Sequence, residues 1–150
     1  MYIYFIGGHN MSYNLERFIT AQKRDYGIAL QEIQSGYKKS HWMWYIFPQI
    51  AGLGFSSMAK MYEIQNLDEA KANMENEYLR SNLIEISKAL LECKSDDIEA
   101  IMGYPDYLKL CSCMTLFEKV APEEEVFSQV IDRFYGGKRD QSTLDILSLQ

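Results

Sequence analysis

The chain is short of the residues from which metal and disulfide sites are built. Its 150 residues include 3 cysteines (Cys93, Cys111, Cys113) and 2 histidines (His9, His41). An odd number of cysteines without regular spacing argues against a secreted disulfide framework and fits reduced thiols in the cytosol. Cys111 and Cys113 stand two apart on a predicted helix, about 200° around its axis, so they point away from each other. Neither a metal site nor a cofactor is expected. Proline is scarce too, and Pro48, Pro105 and Pro122 all fall at predicted helix boundaries. No apolar run reaches the roughly 18–20 residues that cross a bilayer. The apolar start, Met1 to Ile6, lacks the basic stretch and cleavage site of a signal peptide. Excess basic charge is missing as well. With 21 acidic and 15 basic residues the net charge is −6, and neither nucleic acid nor a membrane is an expected partner.

What remains is an ordinary globular composition, 47% hydrophobic and 24% charged, at the length of one domain. Residues 1–11 read as an N-terminal extension, from an upstream start or left over from expression. Residues 12–150 read as a single all-α domain of about seven to nine helices, several of them short. Leu15, Phe18, Ile19, Tyr26, Ala29, Leu30 and Ile33 mark one stripe of a long first helix, with Ser12 or Asn14 as cap and Gly36 just past its end. Ser40 to Phe47 is a short buried helix or turn-rich segment. Ser57 can cap a further helix, Asn66 and Glu69 have capping-box spacing, and Leu79 to Leu91 is amphipathic. Ser95 or Asp96 begins a short helix ended by Gly103. Pro105 opens the next, Pro122 opens another that Gly136-Gly137 close, and a last one starts near Asp140.

Two segments set polar groups inside apolar sequence. The first runs from the basic pair Lys38-Lys39 through His41, Trp42 and Trp44 to Gln49, and holds both tryptophans of the chain. Aromatic rings beside a polar handle line ligand pockets and stack on planar groups; equally, the indoles could be core anchors. The second, Asp106 to Phe117, is apolar nearly all round, so its Asp106, Lys109, Ser112 and Thr115 must be paired or hydrogen-bonded. Asp106 and Lys109, three apart, can pair directly. They read as a base and a cation facing a pocket, or as a structural ion pair under a helix start. Asp96-Asp97 and Glu123 to Glu125 read as helix starts, and Gly52-Leu53-Gly54 lacks the setting of a phosphate cradle.

In these segments the sequence resembles the domain-of-unknown-function 1810 family, bacterial and fungal proteins sometimes labelled calpastatin. The residues that carry the resemblance are Lys39-Ser40-His41-Trp42-Met43-Trp44, Phe47-Pro48-Gln49, Gly52-Leu53-Gly54, Met58-Ala59, Asp68-Glu69-Ala70, Gly103-x-Pro105-Asp106, Lys109-Leu110, Met114-Thr115-Leu116-Phe117 and Phe134-Tyr135-Gly136-Gly137. They span most of residues 12–147. The family usually has Ser-Ser before Met-Thr-Leu-Phe, where this chain has Ser112-Cys113. The resemblance implies an all-α single domain and no particular activity. Calpain-inhibitor chains are disordered and repetitive, unlike a chain with 13% aromatics and no repeat.

The leading expectation is a pocket for a small anionic or nucleotide-like ligand. His41, Asp106 and Lys109 would be its candidate catalytic residues, with Lys39, Trp42, Trp44, Gln49, Ser112 and Thr115 as candidate ligand contacts. Hydrolase or transferase chemistry would use His41 or Asp106 as base and Lys109 as electrostatic stabiliser. The alternative is a protein-interaction module that docks through the Trp-rich segment or the acidic surface.

Overall fold

A computed structural model describes residues 13–150. Among them the chain forms nine helices: α1 (Glu16–Gln34), α2 (Met43–Ile46), α3 (Ser57–Tyr62), α4 (Leu67–Glu75), α5 (Glu77–Leu91), α6 (Ile98–Met102), α7 (Asp106–Val120), α8 (Glu125–Tyr135) and α9 (Gln141–Ser148). The β-type pairing among these residues is one parallel bridge, Ile50 to Ile64. The fold is the all-α single domain that the periodicity implies. Residues 1–11, read as an extension, and Ser12, a candidate cap, lie outside the described residues.

Helix α7 is buried because its sequence leaves it no polar face. Leu110 through Phe117 are all buried, and α8, α4, α6 and α9 pack around them. Helix α1 lies along α5 and α2, and α5 reaches α8 and α4, so the same core runs from Phe18 and Ile33 through Leu90 to Phe117 and Phe127. The hydroxyls of α7 are satisfied from within. Ser112 Oγ donates to the Asp140 carboxylate at 3.1 Å, and Thr115 Oγ1 accepts from the Asp140 amide at 3.0 Å. Asp140 in turn caps α9 through the Thr143 amide at 3.0 Å.

Helix starts follow short side chains, with shifts of a residue or two from the sequence reading. Asn66 caps α4 by accepting from the Glu69 amide, as expected. The cap of α3 is Ser56 rather than Ser57, and that of α6 is Asp97 rather than Ser95 or Asp96. Helix α8 starts at Glu125, because Pro122 stands in a turn closed by Glu124 N donating to Ala121 O at 3.0 Å. Asn14 does not cap α1 with its side chain. Its carbonyl is taken up by Arg17, whose guanidinium also reaches Met61 O and Glu63 O, each at 2.8 Å, and the buried Glu69 carboxylate. Past α6 the chain turns through Gly103 at φ +83°, a value that disfavours any side chain, and this reversal brings Asp106 back toward the segment before α2.

Candidate functional site

The segment from Lys38 to Trp42 is fastened before it reaches α2. Lys38 N donates to Ile101 O at 2.8 Å, joining the segment to α6. Glu32 on α1 accepts from the Lys39 and Ser40 amides, the Ser40 hydroxyl and the Trp42 indole N–H, at 2.6–3.0 Å. Burial pushes the Glu32 carboxyl up, but these donors outweigh it and hold it at about 2. Trp42 is 1% exposed, so this indole is a core anchor and not a wall of the site.

Lys38 belongs to the basic pair that the sequence singles out, but it is not among the candidate site residues named there. Its side chain is 6% exposed, and its ammonium donates to Ser40 O at 2.6 Å and pairs with Asp106 Oδ2 at 2.8 Å, lying over the Trp42 ring at 4.8 Å from its centre. The expected Asp106–Lys109 pair is present but longer, 4.0 Å. Asp106 is thus engaged chiefly by Lys38, and Lys109 stands at the outer limit of pairing distance from it. The signal for Lys38 was its proximity to the Trp pair; its neighbour Lys39, which is exposed, drew attention instead.

Between this segment and the α6–α7 reversal lies a cleft of about 380 Å³. Lys39 and His41 stand at its rim, Met43, Trp44 and Met102 form its apolar wall, and Asp106 and Lys109 face in from α7. Tyr104, 74% exposed, also lines it. Beside the cleft, sharing Met43, Trp44 and Lys109 as walls, is a narrow slot lined also by Phe47, Gln49, Ala59, Tyr62 and Glu63. Of the sequence-predicted residues, Lys39, His41, Trp44, Gln49, Asp106 and Lys109 therefore meet in one region. Trp42, Ser112 and Thr115 do not join them: the first is spent on Glu32, the other two on Asp140. Glu63 was missed, since nothing in a lone glutamate before an isoleucine marks it.

Among the described residues no three His, Cys, Asp or Glu side chains come together as a metal-binding group, and no helix is long and apolar enough to cross a membrane. The thiols are quiet. Burial pushes Cys111 up to about 11 and Cys113 well above its ordinary value, and it also raises Cys93.

Fold and cleft together define a small all-α domain with a cation-rimmed, aromatic-walled concavity. The chain belongs to the family described as Protein of unknown function (DUF1810), whose model matches residues 12–147. It is similar to the crystal structure of the conserved hypothetical protein Rv1873 from Mycobacterium tuberculosis, with a TM-score of 0.90 and 37% identity over 93% of this chain and 99% of that one. Among curated proteins, none matches the chain.

Proposed function

We propose that the cleft binds a small anionic, nucleotide-like ligand. The observation that carries this reading is a local reversal of charge. On a chain of net charge −6, Lys39, His41 and Lys109 face one concavity whose single lining carboxylate, Asp106, is already paired with Lys38. Focused positive potential in a cleft with low-dielectric walls favours an anion. Lys39 and Lys109 would contact a phosphate or carboxylate, and Trp44 would stack on a planar group. A hydrolase or transferase step at the cleft would use His41 for proton transfer and Lys109 to stabilise developing charge. In this reading Asp106 orients Lys109 rather than serving as base, because Lys38 occupies its nearer oxygen.

The interaction reading has two forms, and the one that docks through the Trp-rich segment, unlike the one that uses the acidic surface, asks for both indoles on an exposed convex face. Trp42 is buried and Trp44 lies in a concavity, which favours the ligand reading. A thermal-shift screen of nucleotides, inorganic phosphate and small carboxylates tests it. A ligand at 100 times its Kd adds about 2.7 kcal/mol, or about 5–10 °C at this chain length. The shift should vanish in a folded Lys109→Ala protein. A hit of full size in that variant, or none with any compound, would contradict the proposal.

A further inference from the structure

The slot beside the cleft has a definite polar content that the anion reading leaves unused. Its origin is the Ile50–Ile64 bridge. Ile64 N donates to Gln49 O at 2.9 Å and Ala51 N to Ile64 O at 2.8 Å, holding the two short stretches side by side. Ile50 and Ile64 are 1% and 0% exposed. Since successive side chains in extended chain point to opposite faces, their neighbours Gln49 and Glu63 turn the other way and both line the slot. Arg17, anchored on Glu69, holds the Glu63 carbonyl at 2.8 Å and so fixes the position of that residue. Gly54 packs close to two of the lining residues: a Cβ there would lie 2.5 Å from Ala59 Cβ and 3.5 Å from Gln49 Nε2.

The Gln49 amide and Glu63 carboxylate make no hydrogen bond or ion pair with other side chains among the described residues. No fully buried side-chain N or O among the described residues lacks a partner, so these polar groups are not sealed off, and both residues line the slot. The free volume is about 10 Å³, room for one water-sized group. Trp44 and Lys109 form the wall common to slot and cleft. A ligand whose ring stacks on Trp44 with its anion in the cleft would present one ring substituent to the slot. Glu63 only accepts hydrogen bonds, while the Gln49 amide accepts through Oε1 and donates through Nε2. The carboxylate therefore decides, and the group it suits is a donor, with Gln49 Oε1 as its second acceptor. An exocyclic –NH2 has the right size and polarity, whereas a carbonyl oxygen would meet the carboxylate with like polarity.

Building on the anion reading of the cleft, we infer that Glu63 and Gln49 are specificity-determining residues that select a nucleotide whose base carries an exocyclic amino group. A site made to hydrogen-bond an N–H discriminates strongly against the analogue lacking it. The test is calorimetric titration of the intact chain with two matched pairs, AMP against IMP and CMP against UMP, with inorganic phosphate as a third probe. The amino member of at least one pair should bind tenfold or more tightly than its oxo partner. In Glu63→Ala the ratio should fall below about threefold while affinity for phosphate is kept. Gln49→Met provides the same reading through the other acceptor, should Glu63→Ala not fold. Equal binding within both pairs would overturn the inference, as would a preference that survives both substitutions, and either result leaves the anion cleft intact. Binding of phosphate, lost in Lys109→Ala, with no binding of any nucleotide would also overturn the inference alone. No binding of any probe would remove the cleft reading with it.

Discussion

Glu32→Gln tests whether a carboxylate on α1 holds the approach to the cleft. In the folded chain Glu32 accepts from two amides, a hydroxyl and the Trp42 indole, and its carboxyl is held at about 2 against an ordinary 4.5. That difference corresponds to at most about 3 kcal/mol. The carboxylate is partly open to water, which screens it, so about 1–2 kcal/mol is the expected contribution at pH 7. Because the folded value lies below the unfolded one, the stabilisation is complete above the unfolded value. It is lost as pH falls from about 5 toward 2. Thermal melts of wild type and Glu32→Gln should differ by about 2–8 °C at pH 7, and the gap should narrow clearly by pH 3.5. Equal melting at pH 7, or a gap that stays constant down to pH 3.5, would refute the reasoning.

Removing Lys38 should unmask Asp106: Lys38→Met is expected to cost about 2–3 kcal/mol, less than a fully buried pair because Asp106 is partly exposed. Adding Asp106→Asn should recover part of that cost in a double-mutant cycle read by urea unfolding. Gly54→Ala pushes a methyl against Ala59 with no flexible atom to yield, and calorimetry should show a loss of about 1–3 kcal/mol. Phe117→Ala, at the centre of the core, should cost about 3–5 kcal/mol in the same unfolding assay. At pH 8 the native protein should react only slowly with a thiol reagent, and all 3 cysteines should react at once in denaturant, because burial raises Cys93, Cys111 and Cys113 alike.

Helices were legible where one face is apolar, whereas their caps were legible at Asn66 but lay a residue or two away from the expected position at α3 and α6. The stripe from Phe18 to Ile33, the Asn66 cap, and the closing Gly36, Gly103 and Gly136 all stand where spacing put them. The all-round apolar character of Leu110 to Phe117 correctly announced a buried central helix. The start of α8 was misplaced because Pro122 suits the second position of a turn as well as the first turn of a helix. Site residues were harder. Spacing could put Asp106 near Lys109, but only the tertiary arrangement reveals that Lys38 reaches the same carboxylate from 68 positions earlier in the chain. Ser112 and Thr115 looked available because their partner, Asp140, is far away in sequence. Glu63 became visible only through the bridge that turns it toward Gln49.

The chain's 2 tryptophans allow the central claim to be tested directly. Trp42 is sealed onto Glu32, and Trp44 forms the wall of the cleft. The two indole N–H resonances should therefore part company when AMP is titrated into the labelled protein. The account predicts that the Trp44 signal shifts and saturates while the Trp42 signal stays in place, and that Lys109→Ala abolishes the shift. Two unmoved indole signals, or a Trp42 signal that moves as far as that of Trp44, would contradict it.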